Sequence, residues 1–124
     1  MSIPGSVAEA VTELTKMLED RDLEVFAVID YGVGAAKAGL QLGDEVVVLF
    51  GSPMVGTRLM QEDRRVGLDL PLRMLLWDDG GATQATYAAP RTLAANCDLH
   101  SSQVLDGMSA LMESLVGELA AGKQ

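Results

Sequence analysis

Apolar residues near the N-terminus repeat with the period of one helix face. Four of them follow one another at spacings of four, three and four residues, which is the spacing of an amphipathic helix: Val7, Val11, Leu14 and Leu18. Ser6 and Glu9 form a Ser-x-x-Glu capping box directly before this run, and such a box satisfies free amides at a helix start. The sequence therefore predicts a helix over residues 7–19.

A second amphipathic pattern occupies the C-terminal part of the chain. Its apolar stripe is wider than a coiled-coil seam, which favours docking on a sheet; the stripe contains Leu105, Met108, Met112, Leu115 and Leu119. We predict a helix over about residues 102–120, capped by Ser101 or Ser102. Gly107 and Gly117 each cost such a helix about 1 kcal/mol relative to alanine, a cost that close packing at the two glycines would offset.

The residues between these helices show the patterns of strands and short helices. Strands are predicted over residues 23–30, 45–50, 70–78 and 83–88, and short helices over residues 32–40, 54–63 and 90–95. Asp30 is a candidate cap for the first short helix. Pro71 fits only the beginning or the edge of its strand, and Asp79-Gly80-Gly81 has the composition of a hairpin turn. This order predicts an α+β domain with a mainly antiparallel sheet of about four strands, packed by helices.

The strand predicted over residues 23–30 is apolar on both faces. Val25, Ala27 and Ile29 alternate with Phe26 and Val28. A strand of this kind is covered on both sides. We expect a helix on one face, and a partner subunit or a second element on the other.

Composition and charge argue against several classes of function. The chain has 124 residues, which fits one domain over residues 1–124. Its net charge of −9 argues against binding of nucleic acid or of anionic membranes, since both require a basic surface. The N-terminus lacks the basic start and apolar run of a signal peptide, and no apolar run reaches the ~20 residues of a membrane span. We therefore expect an acidic cytoplasmic protein.

Metal, cofactor and catalytic motifs are not apparent. The single cysteine, Cys97, and the single histidine, His100, are too few for a structural zinc site or an internal disulfide. The stretch Gly32-Val-Gly34 departs from a dinucleotide fingerprint because Lys37 takes the sixth position, where a small residue is needed. The Asp78-Asp79 pair lacks the further ligands of a calcium loop. The residues thus predict no metal, no cofactor and no catalytic group.

Three blocks of the chain together resemble the bacterial DUF302 family. They are Phe26-Ala-Val-Ile-Asp-Tyr31 with Gly34-Ala-Ala-Lys-Ala-Gly-Leu40, then Phe50-Gly-Ser-Pro53, and finally Leu68-Asp-Leu-Pro71. The resemblance covers about residues 23–95, flanked by the two amphipathic helices. It implies a compact α+β fold similar to TATA-binding-protein-like domains and a small homodimer, with no activity established for the family.

The family pattern also points to residues that differ in this chain. Tyr31 stands where the family often has histidine, Ser52 where it usually has asparagine, and Asn96-Cys97 where a histidine tends to occur. If those histidines served a metal or an acid–base step, this chain lacks that capacity. Tyr31 and Ser52 remain able to form hydrogen bonds.

These observations leave three functional hypotheses. The first is a homodimeric module that binds a small polar ligand through Tyr31, Ser52 and Asp69, which lie near predicted strand ends, where pockets often form. The second is a structural or regulatory subunit whose function is an interaction with another protein. The third is an enzyme that transfers a proton through Tyr31 or Asp69.

Overall fold

A computed structural model describes residues 1–122 of the chain. Five antiparallel strands form one sheet in the order β1-β5-β4-β3-β2. The strands are β1 (Ser2–Ile3), β2 (Glu24–Asp30), β3 (Glu45–Gly51), β4 (Leu72–Asp78) and β5 (Thr83–Thr86). The helices are α1 (Val7–Asp20), α2 (Tyr31–Lys37), α3 (Pro53–Glu62) and α4 (Ser102–Ala121), with 3₁₀ turns at Arg64–Leu68 and Pro90–Ala95. The α+β class and the antiparallel sheet predicted from the sequence are confirmed.

The main core lies between one face of the sheet and the two long helices. Alternate residues of β3 point to this face, because successive side chains of a strand alternate between its faces. Phe50 and Val48 are completely buried, as are Met74 and Leu76 in the neighbouring strand β4. The helices contribute the apolar stripes that the sequence predicts, including Leu14 and Leu18 of α1 and Met112, Leu115 and Leu119 of α4.

The sheet has a fifth strand that the sequence pattern does not predict. Residues Ser2 and Ile3 pair with Gln84 and Thr83 of β5, and the N-terminal amine donates a hydrogen bond to the Ala85 carbonyl at 3.2 Å. Two residues are too few to show a hydrophobic period. Only the tertiary contact with β5 makes them a strand.

Strand β2 departs from simple alternation. The register with β3 shifts between Val25 and Ala27, so that Phe26 is an extra residue of a β-bulge. Val25 and Val28 consequently face the same side of the sheet as their partners Phe50 and Val48. The predicted division of β2 into two alternating sets is therefore wrong.

The helix starts follow the capping residues that the sequence predicts, with one exception. Ser6 and Glu9 form the complete capping box of α1, and Asp30 caps α2 by accepting from the Val33 amide. Ser52, which the sequence pattern does not predict as a cap, accepts the Val55 amide at the start of α3. Ser101 occupies the cap position of α4 but makes no side-chain capping bond to that helix.

Gly107 and Gly117 do not pack closely against another element. A methyl group built at either position meets no atom within 4 Å, leaving aside the backbone of α4 itself. The expected compensation by close backbone packing is therefore wrong for both glycines.

The core assignment predicts a large difference between two leucines. Leu14 is completely buried and Leu68 is 87% exposed. We expect Leu14→Ala to lower the free energy of unfolding by about 2–5 kcal/mol, because it removes buried methyl groups and leaves a cavity. Leu68→Ala should change it by less than about 0.5 kcal/mol. Urea denaturation followed by circular dichroism measures both, and equal losses would contradict this description of the core.

Candidate functional site

An apolar groove of about 720 Å³ opens where β2, β3 and β4 meet the helices α3 and α4. The sheet contributes side chains such as Phe26, Leu49 and Leu72 to one wall. Helix α3 and the segment before β4 form a second wall, and one face of α4 forms the third. A volume of this size falls within the range of small-molecule sites. The helix residues that line the groove are Pro53, Val55, Gly56, Thr57 and Met60 of α3, and Val104, Gly107, Met108 and Leu111 of α4.

Four glycines line this groove, and the space beside one of them is open. Gly51, Gly56, Gly67 and Gly107 all belong to its lining. A methyl group at Gly107 would extend into space with no atom within 4 Å. The helix α4 therefore has a residue of low helix propensity where it borders the groove.

A small second core supports the groove from behind. Helix α3, the two 3₁₀ turns and the first two turns of α4 each contribute side chains to it, and these are Leu59, Val66, Leu93, Leu105 and Met108. Leu59 and Val66 are completely buried. This cluster fixes α3 relative to α4, and thus sets the width of the groove between them.

Two carboxylates at the C-terminal end of α3, those of Glu62 and Asp63, bind the loop that precedes α4. Glu62 Oε1 accepts the backbone N–H groups of His100 at 2.6 Å and Ser101 at 3.0 Å, and Glu62 Oε2 accepts the Ser101 hydroxyl. The hydrogen bond from Ser101 is the main cause that lowers the pKa of Glu62. Glu62 thus holds His100 and Ser101, the two residues directly before α4.

Asp63 makes a similar connection next to Glu62. Its carboxylate pairs with the Arg65 guanidinium at 2.6 Å and accepts the Asp98 backbone N–H at 2.8 Å. The hydrogen bonds from the Arg65 side chain lower the pKa of Asp63 most, followed by the amide of Asp98. Together the two carboxylates hold residues 98–101 against the end of α3.

The polar groups of the groove are few. Ser52 and Thr57 contribute hydroxyls to the lining, and the Ser52 hydroxyl accepts the Val55 N–H at 3.4 Å. A hydroxyl that accepts one bond still has its own hydrogen to donate. The groove therefore combines mainly apolar walls with a donor at the start of α3.

The three residues predicted to bind a ligand lie at two separate ends of the sheet. Ser52 lines the groove, and Asp69 is an exposed residue directly before the groove residue Leu70. Tyr31 directly follows Asp30, the last residue of β2. Ser52 directly follows Gly51, which pairs with Glu24, the first residue of β2. Six residues of strand separate these positions, or roughly 20 Å. A single chain therefore does not bring Tyr31 together with Ser52.

Ser52 is the one predicted site residue in the lining of the groove. Phe26 and Leu49 belong to apolar strands, Met60 and Leu111 to amphipathic helices, and such residues are indistinguishable from core residues by pattern alone. Gly107 within the strongest predicted helix was the one local signal, since a glycine there needs a reason beyond helix propensity.

The single cysteine and the single histidine both lie in the segment that precedes α4. Burial raises the pKa of the Cys97 thiol, which opposes formation of the nucleophilic thiolate. The exposed His100 side chain lies 3.6 Å from Asp98. Within residues 1–122 no group of three His, Cys, Asp or Glu side chains is placed to hold a metal ion, and no helix has both the length and the apolar composition to cross a membrane.

A family model described as "Domain of unknown function DUF302" matches residues 1–115. The match extends beyond the blocks at residues 23–95 and includes α1 and most of α4. The crystal structure of an uncharacterised conserved DUF302 protein from Bacillus stearothermophilus superimposes with a TM-score of 0.76. The alignment covers 98% of this chain and 93% of that one at 16% sequence identity, so it supports the fold alone.

Longer proteins share part of this sequence. The chain is 42% identical over 90 residues to the Brucella suis protein named "Fluoride-specific ion channel FluC 1", and equally so to its namesake in Brucella abortus. The matches cover 72% of this chain but only 35% and 33% of the two relatives. The chain thus corresponds to about a third of each of these proteins.

The Glu62 and Asp63 contacts predict a specific loss of stability in acid. The pKa of each carboxyl group is lower in the folded chain than in the unfolded chain, where it is about 4. The two groups therefore stabilise the folded state fully above about pH 4, and this stabilisation is lost as the pH falls through their folded pKa values. We expect Glu62→Gln to reduce the melting temperature at pH 7 and to weaken its dependence on pH below about 4.5. Circular dichroism melts between pH 7 and pH 3 measure this.

Glu113→Gln on the exposed face of α4 is the matched control for that experiment. It removes the same charge without touching the loop at residues 98–101. If Glu62→Gln and Glu113→Gln gave the same pH profile, the proposed role of Glu62 at the start of α4 would be wrong.

Proposed function

The chain belongs to the DUF302 family, and from the groove we propose that it is a homodimeric module that binds a small, mainly apolar molecule. The observation that carries this proposal is the groove itself, an open volume of about 720 Å³ with apolar side chains on all walls. Ligand sites of this kind hold most of a small molecule by apolar contact and orient it through a few polar groups.

The groove favours a more apolar ligand than the polar one expected from the sequence. Tyr31, Ser52 and Asp69 favour a polar ligand, but Ser52 alone of the three lines the groove. We therefore propose a ligand with an apolar body and one hydrogen-bond acceptor, which the Ser52 hydroxyl would contact. Transfer of an apolar body from water into such walls contributes roughly 25 cal/mol per Å² of buried surface before the cost of association.

An enzymatic function receives less support from the same residues. Tyr31 is an exposed residue at the opposite end of β2 from the groove, and Asp69 is exposed to solvent. A general acid or base acts within hydrogen-bond reach of a bound substrate. The groove offers no titratable side chain in its lining, so binding rather than proton transfer is the function that it favours.

The groove proposal is tested by filling the space beside Gly107. We expect Gly107→Leu to weaken binding of the neutral fluorescent probe N-phenyl-1-naphthylamine by about tenfold or more, equivalent to ~1.4 kcal/mol, because the new side chain occupies the groove. Fluorescence titration measures the dissociation constant.

Gly117→Leu is the matched control. It lies in the same helix, also meets no atom within 4 Å when a methyl group is added, and does not line the groove. Both variants gain similar helix propensity. Equal probe affinity in the two variants, or no probe binding by the unaltered chain, would contradict the proposed function.

A second candidate function is regulation of a membrane channel. Its support is the 42% identity to part of proteins named for fluoride-specific channels. A segment that shares a polypeptide with a channel is placed to influence that channel. This chain would then bind a fluoride channel.

Fluoride efflux from vesicles tests this candidate. We expect the purified chain to change the efflux rate through a reconstituted fluoride-specific channel, as followed with a fluoride electrode, and Gly117→Leu to behave like the unaltered chain. If the chain neither changes the efflux rate nor floats with the channel-containing vesicles, the regulatory candidate is wrong.

A further inference from the structure

Arg73 lies at the border of the groove, on the face of the sheet opposite to the main core. It precedes the core residue Met74 in β4, and successive side chains of a strand point to opposite faces. Arg73 pairs directly with Leu49 of β3, which lines the groove, and the Cβ atoms of directly opposite residues are about 5 Å apart. The two residues before it, Pro71 and Leu72, also belong to the lining. The Arg73 side chain is therefore within reach of the groove.

The charge of Arg73 has no carboxylate partner among residues 1–122. Its side chain is exposed to solvent. The arginines that do form ion pairs with carboxylates in this part of the chain are Arg21, Arg65 and Arg91. A guanidinium presents a planar fork of N–H donors that matches the two oxygens of a carboxylate. Arg73 is thus a free cation beside an apolar space.

The two sheet borders of the groove carry opposite charges. The border at β2 is acidic because Asp22 and Glu24 lie there, whereas the border at β4 has Arg73. Glu24 pairs with Gly51, which places it two strands and two residues from Arg73, or roughly 12 Å. Salt at 0.1 M screens exposed charges over about 10 Å. Arg73 therefore governs the potential at its own border, although the chain has a net charge of −9.

The border formed by α3 and the segment before β4 carries one charge of each sign. Arg58 follows the lining residue Thr57 and is exposed. Asp69 precedes the lining residue Leu70 and is also exposed. These two charges offset each other, and Arg73 remains as the excess charge where β4 meets the groove.

We propose that the groove binds an aliphatic carboxylate with a single alkyl chain, whose carboxylate pairs with Arg73 and whose chain lies between α3 and α4. This inference rests on the proposed function and names the class of its ligand, since a carboxylate is the hydrogen-bond acceptor expected there. An arginine side chain and a carboxylate together span the roughly 10 Å of strand between Leu49 and Ser52. The same carboxylate can therefore accept from the Ser52 hydroxyl.

The lining determines the body of this ligand. It contains no titratable side chain, so the alkyl chain binds there by burial of apolar surface. A volume of about 720 Å³ falls in the range of sites for drug-sized molecules, which favours one alkyl chain over the two of a phospholipid. The acidic border at β2 disfavours the reverse orientation, with the carboxylate beside Glu24.

Arg73 supplies selectivity more than affinity. An ion pair at an exposed border is weak because water and salt screen it, and the alkyl chain provides most of the binding energy. We therefore expect loss of the Arg73 charge to weaken binding of a carboxylate by roughly threefold to fivefold. Binding of an uncharged molecule with the same alkyl chain should not change.

Displacement of N-phenyl-1-naphthylamine by decanoate and by decanol tests this assignment. At about pH 8 decanoate is ionised, since carboxyl groups titrate at about pH 4, and decanol has the same number of carbon atoms without the charge. We expect Arg73→Gln to raise the decanoate concentration needed for half displacement by roughly threefold to fivefold, and to leave that of decanol unchanged. Salt of about 0.5 M should reduce the effect on decanoate.

Lys37→Gln is the matched control, because it removes one positive charge at an exposed position of α2 outside the lining. Circular dichroism first confirms that both variants are folded. A loss of decanoate binding confined to Arg73→Gln supports the assignment. Equal effects of the two variants, equal effects on decanoate and decanol, or failure of decanoate to displace the probe overturns it. Probe binding that responds to Gly107→Leu in such a case would leave the proposed function standing.

Discussion

Burial of one face of an antiparallel sheet under two long helices is the constraint on which the rest of this structure depends. Five side chains of β3 and β4 that point to this face are buried, and the apolar stripes of α1 and α4 cover them: Val46, Val48, Phe50, Met74 and Leu76. The chain has few aromatic residues, so the core relies on leucine, valine and methionine. Methionine is suited to this task because its flexible side chain fills irregular spaces.

The groove lies at the margin of that core. Beyond Gly51 the chain leaves the sheet for α3, while α4 begins on the other side of the second small core formed around Leu59 and Val66. Glycines on three sides supply no side chains to fill the gap between these elements. The Glu62 and Asp63 carboxylates fasten the start of α4 across this gap, which keeps its walls at a fixed separation.

Strand β2 is an edge of the sheet and borders the groove at Phe26. The bulge at Phe26 places an aromatic ring at the groove, and the exposed segment from Ala27 to Leu42 remains without cover in one chain.

Local sequence determined the elements of this protein because each depends on near neighbours. The capping box Ser6-x-x-Glu9, the cap Asp30, the turn at Asp79-Gly80-Gly81 and the amphipathic periods predicted nearly all helices and strands within a few residues. Family resemblance supplied the arrangement of the fold, which the structure confirms.

Tertiary structure alone decided the strand at Ser2–Ile3, the bulge at Phe26, the contact of the distant Glu62 with Ser101, and the groove. Each of these depends on residues far apart in the chain, and no local period records which apolar side chains face a core and which face a cavity. For the same reason the sequence did not show that Tyr31 and Ser52 lie far apart. Strand ends that look equivalent in sequence lie at opposite ends of an antiparallel sheet, and only the pairing of β2 with β3 shows which of them meet.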